Sequence, residues 1–273
     1  MSDTTPSTEF PAGTLMAGKR GLIMGVANDH SIAWGIAKAL HAQGAALAFT
    51  FQGEAFGKRV KPLAQSLGAE LVLPCDVQDA ASMDALFDTL STTWGRLDFV
   101  VHAIAYSDKA ELGGRYVDTT RENFVRSLDI SCFSFTDVAR RAAPLMPAGG
   151  ALLTMTYLGA ERVVPSYNVM GVAKAALEAS VRYLAMDLGQ DQIRVNAISA
   201  GPMRTLAGSA VSGARAMFNW NKKHAPLKHA VDLTDVGGAG LYLLSDLAAR
   251  VTGEVLHVDS GYNILAIPDL ADL

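Results

Sequence analysis

Seven short apolar runs, separated by longer amphipathic stretches, dominate this sequence: RGLIMGVA, AALAFTF, AELVLPCDV, LDFVVHAIAY, GALLTMTYLG, IRVNAISAG and GEVLHVDSG. Most are continuous rather than alternating, the pattern of strands buried on both faces, and such strands belong to parallel sheets flanked by helices. The stretches between them carry helical signals. SIAWGIAKALHAQG stops at Gly44, a good C-terminal breaker. DAASMDALFDTLSTTWG places Met83, Leu86, Leu90 and Trp94 at helical spacing. TRENFVRSLDISCFSFTDVARRAAPLM reads as the longest helix. This alternation predicts an α/β fold, one doubly wound parallel sheet of about seven strands with right-handed crossovers.

Composition bounds the rest. Half of the 273 residues are hydrophobic, ample for a large core, and no second composition regime divides the chain. The expected layout is a flexible lead-in over residues 1–17 and a single domain over 18–273. Between the sixth and seventh strands, TLAGSAVSGARAMFNWNKKHAPLK (about 205–228) is the least sheet-like insert and is expected to form a helical lid over the substrate. The net charge of −4, with both signs scattered, argues against nucleic acid. Two cysteines, Cys75 and Cys132, form neither a disulfide framework nor a metal-ligand spacing. No metal is expected. No secretory signal or bilayer-spanning run is present, so the protein is expected to be cytoplasmic, away from membranes.

A glycine at the end of the first strand, then small residues, then a helix, suits a dinucleotide pyrophosphate in a Rossmann-like fold. Gly25 ends that strand, and Ser31 and Ile32 open the helix. The spacing is not GxGxxG, because Gly25 and Gly35 stand ten apart. At the end of the second strand, Gln52 offers a ribose hydrogen bond but no charge for a 2′-phosphate, which favours NADH. Lys58 and Arg59 keep NADPH as the less favoured cofactor. Asp76 and Val77 end the third strand, where a carboxylate can accept from adenine or cap the next helix. Ile104 follows the fourth strand near the nicotinamide half, and His102 reads as a structural histidine more than a general acid. After the sixth strand, the Met203 and Leu206 backbones and the Thr205 hydroxyl can meet the carboxamide and phosphates.

The fifth strand leads into TYLGAERVVPSYNVMGVAK, with Tyr157 at its end and Tyr167 and Lys174 seven residues apart. On one helix that spacing is almost two turns, about 10 Å along the axis, and both side chains share a face. A nearby ammonium favours a phenolate and so makes the phenol a better proton donor. Without that pairing they are a buried tyrosine and an unrelated surface lysine.

Together, GVANDHSIAWGIA, the CDV at 75–77, YLGAERVVPSYNVMGVAK, QIRVNAISAGPMRTLA and GEVLHVDSGY resemble the NADH-dependent enoyl-acyl-carrier-protein reductases of the short-chain dehydrogenase/reductase superfamily, from about Gly18 onward. The resemblance implies catalytic roles for Tyr157, Tyr167 and Lys174. It implies NADH contacts for Gly25, Ser31, Ile32, Gln52, Asp76, Val77, Ile104 and Lys174, and for Met203, Arg204, Thr205, Leu206 and Ala207. Ser107 matches a substrate-contact position, and Met170, Ala207, Val211, Met217 and Phe218 are candidates for the acyl-chain wall beside the two tyrosines. A homotetramer and an acyl carrier protein partner are implied. Ser212 and Ala216 stand where well-known members are basic, while Arg215 remains and Lys222, Lys223 and Lys228 are the substitutes for carrier docking.

The implied reaction is reduction of trans-2-enoyl thioesters in type II fatty-acid synthesis, with hydride delivered to C3. A 3-ketoacyl or other carbonyl reductase is the nearest alternative. Such enzymes space tyrosine and lysine four apart, and Met170 occupies that position here. A non-catalytic dinucleotide sensor is the alternative of another class. Sensors typically lose the tyrosine or lysine, and both are present.

Overall fold

The computed structural model describes residues 10–206 and 213–267. All seven apolar runs form strands: β1 Arg20–Met24, β2 Ala46–Phe51, β3 Leu71–Pro74, β4 Phe99–His102, β5 Gly150–Thr156, β6 Ile193–Ala200 and β7 Val255–Val258. They make one parallel sheet in the order β3-β2-β1-β4-β5-β6-β7. The order reverses between β1 and β4, which opens a crevice at the carboxyl ends of these two strands.

Successive strand residues point to opposite faces, and both faces are apolar because both are covered. Ile23, Phe49, Val101, Leu153 and Ile198 pack on the side of α1 (Ile32–Ala42), α2 (Gly53–Ser66) and α9 (Leu233–Leu244). Leu22, Met24, Val100, Leu152 and Val195 pack against α3 (Ala80–Trp94), α6 (Ser134–Ala142) and α7 (Asn168–Leu188). Helix α3 shows how local chemistry sets an element. The Asp79 side chain accepts from Ala81 N to start it, and Met83, Leu86, Phe87 and Leu90 bury one stripe. Gly95, at φ +68°, ends it in the left-handed region that favours glycine.

The long helix expected after Thr120 forms, with a π turn inside it: α5 (Arg121–Leu128) runs without a break through Asp129–Phe133 into α6. The extra residue re-aims Ser131, whose hydroxyl accepts from Tyr106 N at 3.0 Å and donates to Tyr106 O at 3.1 Å. Helix α7 runs for 21 residues with no such turn. The folded unit also reaches ahead of Gly18, for Met16 is fully buried and Phe10 packs against Gly237 of α9. Among the described residues, no helix is long and apolar enough to cross a membrane.

Candidate active site

The expected cofactor positions gather at one edge of the sheet. Gly25 follows β1, Gln52 follows β2, Asp76 and Val77 lie beyond β3, Ile104 beyond β4, and Met203, Arg204, Thr205 and Leu206 beyond β6. Gly25 has φ +100°, and a Cβ there would run into the Ala103 carbonyl, so the turn at the crevice is held bare of side chain. Ser31 precedes α1 but does not cap it. Its hydroxyl accepts from Ala27 N at 2.9 Å and Asn28 N at 3.1 Å, bracing the loop. No side chain caps the first turn of α1, opened by Ile32, which leaves that end of the helix for an anion. Gly35 serves packing instead, since it lets Leu233 of α9 lie against α1.

The register of β2 and β3 brings Gln52 and Asp76 together. Gln52 Nε2 donates to Asp76 Oδ2 at 3.0 Å, and Asp76 Oδ1 accepts from Gln78 N at 3.0 Å. Asp79, not Asp76, caps the following helix. A carboxylate beside the ribose-end glutamine repels a 2′-phosphate. Lys58 and Arg59 are exposed on α2. Bare turn, uncapped helix and Gln52–Asp76 pair together fit NADH.

Tyr157 closes β5, and its ring meets Tyr167 edge-on with centroids 5.1 Å apart. Tyr167 is not on the helix. It immediately precedes α7, between Ser166 at φ +62° and Asn168 at φ +39°. The rise of a continuous helix therefore does not measure its separation from Lys174, and the 10 Å expectation loses its basis. Lys174 is buried on α7, and its Nζ donates to Met155 O at 2.8 Å. Burial pulls its ammonium down to about 8, and the Cys132 and Glu178 side chains oppose that shift. The Tyr167 phenol is pushed above its ordinary range by burial, then by Tyr157 and the Glu178 carboxylate. Burial and Tyr262 push Tyr157 up to about 12. The expected phenolate-favouring effect of the lysine does not win: burial keeps Tyr167 a neutral hydrogen-bond donor.

Three neighbours of this pair escape motif reading. The Tyr167 ring lies over Gly159, where any Cβ would collide with it. Glu178, one helical turn past Lys174, accepts from Thr156 Oγ1 at 2.7 Å. Asn221 of α8 (Ala214–His224) lines a small cavity with Tyr157, Asp259 and Tyr262. YLGAE and GEVLHVDSGY, prominent in the sequence, hold Gly159, Asp259 and Tyr262, but their contacts are decided by folding. Gly159→Ala is expected to lower kcat about 10–100-fold by displacing the phenol, with NADH affinity kept. Steady-state kinetics with a parallel NADH titration checks this, and an unchanged kcat would refute the seat.

Other expected positions are placed differently. His102 is fully buried, hydrogen-bonded to Ser134 Oγ at 2.8 Å and Thr154 Oγ1 at 3.2 Å, and held neutral, chiefly by burial, at about 3. It is structural. The Ser107 hydroxyl is engaged by Asn123 at 3.3 Å. Met170 is buried with its sulfur 3.8 Å from Ser131 Oγ. Phe218 meets Arg204, whose guanidinium sits 4.8 Å from its ring centroid, and both line a groove with Met203, Asp29 and His30. Met217 is half-buried on α8. Ala207, Val211 and Ser212 lie outside the described residues. Lys228, beyond the end of α8, turns back on that helix, Nζ donating to Lys223 O at 3.0 Å.

The chain matches the family described as Enoyl-(Acyl carrier protein) reductase over residues 25–263. It is 66% identical over 259 residues to enoyl-[acyl-carrier-protein] reductase [NADH] 2 of Rhizobium meliloti (strain 1021), covering 95% of this chain and 97% of that one. It is 60% identical, with a TM-score of 0.92, to the enoyl-acyl-carrier-protein reductase of Anaplasma phagocytophilum solved in complex with NAD, covering 96% of this chain and all (100%) of that one. The Bacillus cereus enoyl-acyl carrier protein reductase, solved with NADP+ and indole naphthyridinone, is 50% identical with a TM-score of 0.91, covering 93% of this chain and 100% of that one. A seven-stranded sheet carrying this tyrosine–lysine edge, matched in sequence along nearly its whole length, places the chain in the enoyl-(acyl carrier protein) reductase family.

Proposed function

We propose that this chain reduces trans-2-enoyl thioesters, presented on acyl carrier protein, to saturated acyl thioesters in the elongation cycle of type II fatty-acid synthesis. NADH, when bound, supplies the hydride that adds to C3. The chain's residues bind and orient around that event. Lys174 holds ribose hydroxyls of the nicotinamide half, and Gln52 with Asp76 holds the adenosine half. Negative charge then collects on the thioester oxygen, and Tyr167 donates a hydrogen bond to it. A proton then added to C2 discharges the oxygen and completes the saturated product, and Tyr157, beside that phenol, either relays this proton or walls the pocket. A half-buried, neutral Tyr167 suits this task, because a donor aimed at a developing oxyanion must still carry its proton.

The observation that carries the reading is the pairing of this neutral phenol with Lys174 seven positions on, while buried Met170 fills the slot a carbonyl reductase gives to tyrosine. The test is to mix the purified chain with NADH or NADPH and either a 2-enoyl or a 3-ketoacyl thioester, and to follow loss of reduced-cofactor absorbance. Oxidation of NADH by the enoyl thioester is expected. Activity with the ketoacyl substrate alone would overturn the reading.

A homotetramer is part of the proposal. Val125, Phe133, Tyr183 and Met186 are large apolar side chains left exposed on α5, the π turn and α7, which supports burial between copies. The domain layout remains one reductase unit with a substrate lid over about 205–228. Carrier docking is assigned to Arg215, Lys222 and Lys223 at α8, and the cytoplasm is supported by two unpaired cysteines.

A further inference from the structure

The segment between β4 and α5 folds as a small cap. Its tether to α5 and the π turn is extensive. Tyr106 is held by Ser131, Asp108 N donates to Asn123 Oδ1 at 2.9 Å, and Glu111 accepts from Thr120 N at 2.9 Å and Thr120 Oγ1 at 2.8 Å. Its other side faces the turn that carries Tyr167. Among the described residues, the side-chain hydrogen bonds joining the cap to that turn all come from Asn168. Its Nδ2 reaches Glu111 O at 3.4 Å, Gly113 O at 3.5 Å and Gly114 O at 3.4 Å.

Asn168 is also the first residue of α7, where the chain turns into the helix. Its φ of +39° lies in the left-handed region, which asparagine tolerates better than other non-glycine residues. Had residue 168 taken helical angles, Tyr167 would extend the line of α7. It instead turns aside to stack on Tyr157 over Gly159.

We propose that Asn168 is a positioning residue with two separable actions. Its backbone directs the Tyr167 phenol, and its amide registers the cap, which carries Ser107, against that phenol across the substrate's path. The proposal rests on Tyr167 being the phenol that meets the thioester oxygen.

Three substitutions separate the actions. Asn168→Gly keeps the left-handed backbone and deletes the amide, so KM for the enoyl thioester rises about two- to ten-fold while most of kcat and the NADH Kd are kept. Asn168→Asp sets a carboxylate against three carbonyls, so KM rises at least as far. Asn168→Ala deletes the amide and disfavours the backbone, so kcat falls a further five- to thirty-fold, roughly the population lost from the left-handed region. Steady-state kinetics, NADH titration and thermal midpoints are measured on all three, with Tyr167→Phe alongside.

A wild-type KM in Asn168→Gly would overturn the cap registration. Equal kcat in the Gly and Ala variants would overturn the backbone action. Losses of kcat that follow the thermal midpoint across the series, with no split between KM and kcat, would make Asn168 merely structural. If the Ala variant does not fold, the Gly and Asp variants still decide the registration. Undiminished kcat in Tyr167→Phe would instead remove the functional reading itself.

Discussion

Tyr167→Phe lowers kcat for a trans-2-enoyl thioester by about 10²–10³-fold, the cost of removing one donor to a developing oxyanion. The NADH Kd stays unchanged. The change is nearly isosteric: the ring keeps its edge contact with Tyr157 and its place over Gly159, and only the hydroxyl is lost. Because the oxygen's charge grows only in the transition state, the loss falls on kcat more than on KM. Stopped-flow loss of NADH absorbance together with fluorescence titration of NADH checks both halves. Equal weakening of NADH binding would move Tyr167 from the reaction to the cofactor.

Lys174→Ala raises the NADH Kd by about 10–100-fold, the value of charge-assisted hydrogen bonds to ribose hydroxyls. Truncation also leaves a cavity in α7 and frees the Met155 carbonyl of its partner, so Lys174→Met serves as the volume control. Unchanged NADH affinity in both variants would sink the ribose role. The same lysine sets a pH dependence. Its ammonium is held at about 8, against 10.5 for a lysine in water, because burial penalises the charge. NADH affinity of the natural chain is therefore expected to fall as pH rises past about 8, a limb absent from Lys174→Met. Stability moves the other way. Between about 8 and 10.5 the unfolded chain binds the proton that the folded chain has lost, so folding gains with pH in that window, relative to Lys174→Met.

Much of the molecule was legible in its residue order. Seven apolar runs became seven parallel strands, and Gly25, Gln52, Asp76, Ile104, Tyr157 and Met203 fell at or just beyond strand ends on one edge. These follow from local periodicity and from the rule that residues ending parallel strands share an edge. The misreadings share a cause. Asp76 looks like a helix cap and Ser31 like another, but each is claimed by a neighbour: Asp76 by Gln52 just beyond the adjoining strand, Ser31 by its own loop.

By itself, then, the sequence determined the sheet, the edge on which the site lies, and the tyrosine and lysine that mark the family. Those are properties of burial pattern and residue type. Only the tertiary structure decided how the phenol is aimed and in which protonation state it is held. Tyr167 leaves the line of the helix because Asn168 takes a left-handed φ, and it is held neutral by its desolvation, by Tyr157 and by the Glu178 carboxylate. Neither the direction of a side chain nor the desolvation of its charge is encoded in any short stretch, because both are set by partners that folding brings from elsewhere in the chain.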